Sequence, residues 1–152
     1  MYTQYKLTRV LEYEFDAMAL VTQLCTAGAA IVGSALVCIS IMCALAPQAA
    51  SNTYGVPSSD VAWVSATGVR DFSLGFAVLA LLRANNVEAL RVMIASLFFV
   101  AAGDTCIVLR FGSGGVSAAA PHLLGVLALL VGSVLFRIAD NDKSAKQKKR
   151  SA

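Results

Sequence analysis

Four long stretches of apolar residues dominate the chain, and short polar stretches separate them. A helix needs about 20 mainly apolar residues to cross the ~30 Å hydrocarbon layer of a bilayer. Four stretches meet that requirement, over about 17–46, 61–82, 89–109 and 121–137. Each is apolar on all sides, which is typical of helices in contact with lipid. The pattern predicts an all-α fold, an integral membrane four-helix bundle over residues 17–138.

Proline and cap residues mark the ends of the predicted spans. Pro47 ends the first span, because proline lacks the N–H and the backbone freedom that a continuing helix needs. The sequence PSSD at 57–60 is typical of a turn followed by a helix cap, so the second span begins after Asp60. Pro121 suits the first turn of a helix and marks the predicted start of the fourth span.

Lysine and arginine are distributed unevenly about these spans. With four spans, both ends of the chain and the connector between the second and third spans lie on the same side of the membrane. That side carries ten of the twelve basic residues: Lys6, Arg9, Arg83, Arg91, Arg137, Lys143, Lys146, Lys148, Lys149 and Arg150. Because the cytosolic side is enriched in basic residues, both termini are predicted to be cytosolic.

The two ends are predicted to lie outside the bundle. Residues 1–16 mix aromatic and charged side chains, which is typical of a cytosolic segment at the membrane interface. Residues 139–152 form a basic cytosolic tail that is too polar to pack a core, so disorder is predicted there. The final KKRSA resembles a dilysine retrieval signal and points to the endoplasmic reticulum. The alternative is a basic flank that anionic lipid attracts.

A cleavable signal peptide is the alternative interpretation of the first span. Ala44-Leu45-Ala46 fits a signal-peptidase site, and two basic residues stand near the start of the chain. However, the apolar stretch is about twice as long as that of a signal peptide. Acidic residues at 12, 14 and 16 also interrupt the basic start. These features favour a membrane-spanning first helix.

Composition excludes several classes of protein. Hydrophobic residues make up 58% of the 152 residues, and the mean hydropathy is +0.73, more than a soluble domain of this size can bury. No C-x-x-C and no cysteine–histidine pair has the spacing of a redox or zinc site. The four cysteines are therefore predicted to be packing residues: Cys25, Cys38, Cys43 and Cys106. No metal, cofactor or nucleic-acid partner is predicted.

Four polar side chains lie inside the predicted spans: Arg70, Asp71, Asp104 and His122. A charge at mid-bilayer costs ~2.5–3.5 kcal/mol, so such residues face one another or a wet cavity. At ~1.5 Å per residue, Arg70 lies ~13 Å and Asp104 ~7 Å from the outer boundary, within reach of the arginine side chain. Asp71 is not expected to pair well with Arg70, because adjacent residues diverge around a helix axis. The four are predicted to converge in the outer half of the bundle.

Glycines accompany these polar residues. Gly68 and Gly75 flank Asp71 in the second span, and small residues let membrane helices approach closely. A helix crossing is therefore predicted on that side of the second span. The same role is predicted for Gly28, Gly33 and Gly103.

The order and spacing of these residues resemble a known membrane family. The motifs GVRD at 68–71, GD at 103–104 and His122, with AP at 46–47 and YGVP at 54–57, follow the pattern of the family called domain of unknown function 4267. The resemblance covers about 33–136. It implies a DoxX-like four-helix bundle with a polar site and no established reaction. Tyr54 stands in place of the usual Phe, a difference that changes none of these expectations. Relatives are similar to proteins encoded beside fungal natural-product genes, which implies a lipophilic substrate.

Three classes of function remain open. As an enzyme, the protein is predicted to be an isomerase or cyclase of a lipophilic small molecule. Asp104 or Asp71 then transfers a proton, His122 relays it, and Arg70 binds substrate or tunes a carboxyl group. As a non-catalytic membrane binding or helper subunit, it uses the polar cluster as a structural lock. Transport is disfavoured, because the chain has no repeats or broken helices. The predicted partners are the lipid bilayer, a lipophilic small molecule, and a second copy or a membrane partner protein.

Both termini are expected to be reached from the cytosol. Tags fused to either end should be accessible when only the plasma membrane is permeabilised, and a glycosylation acceptor inserted within 47–60 should be modified. The reason is the retention of basic segments on the cytosolic side. Termini found on opposite sides of the membrane would contradict a chain with four spans.

Overall fold

Five helices form the chain in the computed structural model, which describes the backbone of residues 2–151 and the side chains of residues 19–138. In chain order they are α1 (Tyr2–Leu45), α2 (Pro47–Thr53), α3 (Val61–Arg83), α4 (Val87–Phe111) and α5 (Gly115–Ser151). The described backbone contains no strand. Within residues 19–138, four stretches are long and apolar enough to cross a membrane: Ala19–Leu45, Val61–Arg83, Val87–Phe111 and Gly115–Ile138. The predicted all-α bundle with four spans is confirmed.

Side-chain caps start two of these helices. The Asp60 carboxylate accepts a hydrogen bond from the N–H of Trp63 at 3.1 Å and begins α3, as the turn-and-cap pattern predicts. The Asn86 side chain accepts one from the N–H of Ala89, also at 3.1 Å, and begins α4. Asn85 precedes it with φ 51°, a left-handed conformation that asparagine tolerates better than most residues. α3 and α4 are therefore joined by a tight turn at 84–86.

Two helix boundaries differ from those predicted at the prolines. Pro47 does end α1, but it also occupies the first turn of the short helix α2, in a region predicted to be a loop. Pro121 lies inside α5, which begins at Gly115 and not at the proline. Proline removes one backbone hydrogen bond from a helix interior, and the three alanines before it favour helix strongly. The helix therefore continues through Pro121.

The two ends of the chain continue the outer helices. α1 begins at Tyr2, and α5 extends to Ser151 through the segment for which disorder is predicted. Alanine, lysine, glutamine and arginine are frequent there and are strong helix formers, which accounts for the helical backbone. The side chains of residues 1–18 and 139–152 lie outside the described part of the chain. The interfacial segment at 1–16 and the exposed basic tail therefore stay predictions.

One face of α3 packs against α1. The buried residues of α3 alternate in steps of four and three, a spacing that keeps them on one stripe: Val64, Gly68, Asp71, Gly75 and Val78. A Cβ added at Gly75 would lie 2.7 Å from the carbonyl oxygen of Gly33, and one added at Gly68 would lie 2.6 Å from the Cβ of Cys43. Only glycine fits these two positions, and the predicted helix crossing at Gly33, Gly68 and Gly75 is confirmed.

The other two glycines do not mediate close helix packing. A Cβ added at Gly28 or Gly103 would meet no heavy atom within 4 Å. The prediction of a helix crossing at these positions is therefore wrong. A glycine in a helix does not require a neighbour, and sequence alone does not show which side of the helix it faces.

Apolar side chains cover the outside of the bundle as well as its core. Val78, Leu90, Ile94 and Leu97 are buried between the helices. On the outside, Leu45 is 81% and Phe99 74% exposed, and many other large apolar side chains are exposed as well. Such a surface is costly in water and suited to lipid. The chain has the architecture of a multi-pass membrane protein.

Gly75→Ala is expected to destabilise the bundle. The added methyl group would meet the backbone of α1 at Gly33, and overpacking of this kind costs about 1–3 kcal/mol. Gly103→Ala is the matched control, because its methyl group enters open space and alanine favours helix by about 1 kcal/mol over glycine. Thermal unfolding in detergent measures both. A Gly75→Ala protein as stable as Gly103→Ala would contradict the close approach of α1 and α3.

Candidate functional site

Arg70 joins two carboxylates into one network. Its two terminal nitrogens donate to Asp104, with Nη1–Oδ1 at 3.1 Å and Nη2–Oδ2 at 2.9 Å, a bidentate pair that links α3 to α4. This is the contact that the depth of the two residues predicts. The same guanidinium donates through Nε to Asp71 Oδ1 at 2.9 Å. The expectation that Asp71 would pair poorly with Arg70 is therefore wrong. Nε lies near the base of the guanidinium, so it reaches the neighbouring carboxylate while the terminal nitrogens extend to α4.

Asp71 is the most buried member of the network. Its side chain is 3% exposed, because it lies on the stripe of α3 that packs against α1. Its second oxygen, Oδ2, accepts a hydrogen bond from the hydroxyl of Tyr54, which follows α2. Both carboxylate oxygens thus have a donor, as a buried charge requires.

Tyr54 is a site residue that sequence reasoning missed. The prediction places it in the loop motif at 54–57 and attaches no consequence to a Tyr where the resemblance implies a Phe. A phenylalanine would lack the hydroxyl that binds Asp71. The available signal is the hydroxyl itself, in a segment that follows the helix break at Pro47. Burial, and then the adjacent Asp71 carboxylate, raise the pKa of the Tyr54 phenol. The phenol therefore stays protonated at neutral pH and donates to Asp71.

His122 joins the site through Tyr54. Its Nε2 lies 3.1 Å from the backbone carbonyl oxygen of Tyr54, and the two rings stack with centroids 6.4 Å apart. Because a carbonyl oxygen only accepts, Nε2 carries a proton in this contact. The structure thus places Arg70, Asp71 and Asp104 in direct contact and connects His122 to them by way of Tyr54.

Two spaces adjoin this network. The larger, which we call the bundle cavity, has a volume of about 360 Å³ and lies between the helices. Titratable side chains line one end of it, namely Tyr54, Asp71, Asp104 and His122, and the remaining wall is mainly apolar. The smaller, the Trp63 pocket, has a volume of about 100 Å³ and is lined by Trp63, Arg70 and Thr67 among others. Tyr54, Asp104 and His122 line both spaces, so the two spaces adjoin each other at these residues.

Asp104 is placed differently from Asp71. The buried residues of α4 lie on their own stripe, which includes Leu97, Thr105 and Val108, and Asp104 lies one position off it. Its side chain is 21% exposed and lines both spaces. Within the described part of the chain, no three His, Cys, Asp or Glu side chains come close enough together to hold a metal ion. The chemistry that the arrangement supports is proton transfer and hydrogen bonding.

These features define a class: a multi-pass helical membrane protein with a charged network at one end of the bundle and an apolar cavity beside it. The chain matches the family described as Domain of unknown function (DUF4267) over residues 33–136, more than half of its length, and it belongs to that family. Every residue of the network lies within the matched region. The match concerns this family alone, so the relation to DoxX-like bundles stays an expectation. No curated protein and no solved structure matches the chain.

Arg70→Ala is expected to destabilise the protein more than Arg110→Ala. Without Arg70, the buried Asp71 carboxylate loses its cation, and breaking a buried pair costs about 3–5 kcal/mol. The Arg70 side chain is 40% exposed, so we expect the lower end of that range. Arg110 lies near the end of α4, over the ring of Phe111, where removing an exposed charge costs ~0–1 kcal/mol. Expression and thermal stability in detergent compare the two; equal values would refute the structural importance of the Arg70 network.

Proposed function

We propose that the protein binds a lipophilic small molecule in the bundle cavity and acts on it by proton transfer, as an isomerase or cyclase. The observation that carries the proposal is the make-up of the cavity wall, which is mainly apolar with titratable groups gathered at one end. Small-molecule sites have this character: apolar cavities of ~300–1,000 Å³ with a few convergent polar groups. The volume of about 360 Å³ falls within that range.

Asp104 is the group to which we assign the proton transfer. Its bidentate pairing with Arg70 holds the carboxylate in one orientation. An ionised carboxylate at the wall of an apolar cavity acts as a general base. In an isomerisation, Asp104 removes a proton from one carbon of the substrate, and the resulting carboxylic acid returns that proton to another carbon. Atoms and charge balance over the cycle.

Arg70 is suited to stabilise negative charge that develops on the substrate. A guanidinium has five N–H donors, and the contacts with Asp71 and Asp104 use three of them. The remaining two, one on each terminal nitrogen, take no part in these contacts, and Arg70 lines the Trp63 pocket. Preorganised donors of this kind act strongly where water is excluded. In this scheme an oxygen of the substrate reaches past Asp104 from the bundle cavity into the Trp63 pocket, where Arg70 binds it while Asp104 moves the proton.

His122 and Asp71 support the reaction in different ways. His122 lines the bundle cavity together with Asp104 and relays the proton between Asp104 and the outside of the cavity. Asp71 has a donor on each oxygen, from Arg70 and from the Tyr54 hydroxyl, and is nearly inaccessible. We assign it as a positioning residue that orients Arg70 and Tyr54. This departs from the prediction of Asp71 as a proton donor or acceptor, because its side chain is 3% exposed, against 21% for that of Asp104.

The biological setting rests on sequence features. The resemblance to proteins encoded beside fungal natural-product genes supports a substrate from natural-product biosynthesis. The basic residues between 143 and 150 support a position of that segment at the cytosolic face of the membrane, which in this proposal is that of the endoplasmic reticulum. Both placements belong to the proposal, as does the cytosolic location of the termini.

A non-catalytic helper subunit is the second candidate. The favouring observation is that, within the described part of the chain, no buried side-chain nitrogen or oxygen lacks a hydrogen-bond partner. A fully satisfied ion network that ties α3 to α4, and ties both to the segment after α2, is what a structural lock requires. In that case the cavity serves a bound lipid or a partner helix and no proton moves.

Asp104→Asn is expected to separate catalyst from lock. Asparagine has nearly the same shape and still accepts a hydrogen bond from Arg70, but it cannot transfer a proton. Product formed in a host that makes the pathway's precursor should fall by the ~10²–10⁴-fold typical of a lost acid–base group. Protein abundance and detergent stability should change little by comparison.

His122→Ala is the companion variant, because its removal strands no charge. A structural lock predicts the reverse pattern for Asp104→Asn: abundance falls first, since Arg70 loses a neutralising carboxylate, and activity falls in proportion. If Asp104→Asn and His122→Ala both keep full output per folded molecule, the catalytic proposal is rejected and the helper subunit replaces it.

A further inference from the structure

We infer that the ligand of the proposed site is an elongated, uncharged lipophile whose polar end lies in the bundle cavity and whose chain leaves the bundle between α1 and α5. The inference rests on the proposed function and adds the shape and charge of the substrate. Three observations support it: a groove that adjoins the cavity, glycines that leave room along both, and the net charge of the network formed by Arg70, Asp71 and Asp104.

The groove runs between α1 and α5 and has a volume of about 580 Å³. Buried Cys25 and Phe136 contribute to its floor, and exposed Ile31 and Leu124 to its rims. Its wall is almost entirely apolar, so it suits a hydrocarbon chain.

The groove and the bundle cavity share a wall. Val32, Ala128 and Leu129 line both of them. Along α5 the combined space reaches from His122 to Phe136, a distance of ~21 Å at ~1.5 Å per residue. That length exceeds what a small compact ligand needs and matches a long chain with one polar end.

Glycines leave this path unfilled. Gly125 lines the bundle cavity and Gly28 lines the groove. A Cβ added at either position would meet no heavy atom within 4 Å. These two glycines therefore do not serve helix packing, unlike Gly68 and Gly75, and the room that they leave belongs to the cavity and the groove.

The charge of the Arg70 network at one end of the cavity determines which ligand head groups can bind there. Asp71 and Asp104 carry two negative charges against one positive charge on Arg70, so the network has a formal charge of −1. Charges interact strongly where water is excluded, and a carboxylate or phosphate head group is therefore disfavoured. A hydroxyl, carbonyl or epoxide is accepted. The same argument disfavours a bilayer phospholipid as the occupant of the continuous path, because its head group carries a phosphate.

Photolabelling with hexadecanol probes tests the path. One probe carries a diazirine beside the hydroxyl and the other carries it at the end of the chain. Labelled residues are mapped by mass spectrometry on the full-length protein in lipid nanodiscs. The first probe should label the bundle cavity and the second the α1–α5 groove. Excess unlabelled hexadecanol should compete with both, and palmitic acid should compete at least tenfold less well, which corresponds to about 1.4 kcal/mol of binding free energy.

Three glycine variants make the test specific, because none of the added side chains starts in contact with another atom. Gly28→Leu should abolish labelling of the groove and leave labelling of the cavity. Gly125→Leu should abolish both. Gly103→Leu lies outside both spaces and should change neither.

The outcomes separate this inference from the proposed function. One outcome is that the cavity is labelled, that Gly125→Leu abolishes this labelling, and that hexadecanol competes with no labelling in the groove. This outcome overturns the proposed path of the chain between α1 and α5 but leaves the proposed binding site intact. Groove labelling that hexadecanol does not compete indicates ordinary bilayer lipid and likewise overturns the path. Equal competition by palmitic acid overturns the uncharged head group. Absence of competable labelling in the cavity itself overturns the proposed binding function together with the inference.

Discussion

An ionised carboxylate inside an apolar bundle needs donors within reach, and Asp71 obtains them from two directions. Arg70 supplies Nε from the neighbouring position of the same helix, and Tyr54 supplies its hydroxyl from the segment after α2. The second donor is available only because the chain breaks at Ala46 (φ −144°) and restarts at Pro47, which folds α2 back over the end of α3. The path of the chain between α1 and α3 thus follows from the need to satisfy one buried charge.

Asp71 is buried because glycines on either side of it allow α1 to come close. Gly68 and Gly75 occupy the same stripe of α3 one turn before and one turn after the carboxylate, and α1 backbone or Cβ atoms fill the space where their side chains would be. Membrane helices lack a hydrophobic driving force for association, so close packing of this kind supplies much of the attraction between them. The same contact that holds α1 to α3 therefore removes Asp71 from solvent and makes its two donors necessary.

The number and position of the spans follow from sequence because hydrophobicity over a helix length is a local property. The meeting of Arg70 and Asp104 also follows, since depth along a helix is counted in residues. The features that could not be predicted depend on how each helix is rotated about its axis and on the conformations of long side chains. The Arg70–Asp71 contact requires knowing how the guanidinium turns, and the open surroundings of Gly28 and Gly103 require knowing which way each faces. Tyr54 was missed because its partner lies 17 positions away across a helix break. Pro121 was misplaced because proline weakens a helix interior without always ending it.

The two carboxylates show why a structural lock and a catalytic site need not exclude each other in this protein. Asp71 lies on the packed stripe of α3, and its side chain is 3% exposed. Asp104 lies one position off the packed stripe of α4, so it borders both the bundle cavity and the Trp63 pocket. Arg70 binds both carboxylates. Because Asp71 holds the guanidinium in place, the guanidinium in turn fixes the orientation of Asp104. A fixed, ionised group at a cavity wall is what preorganised catalysis requires, and the inner carboxylate is what keeps it fixed. The lock is thus the support on which a reactive Asp104 would depend.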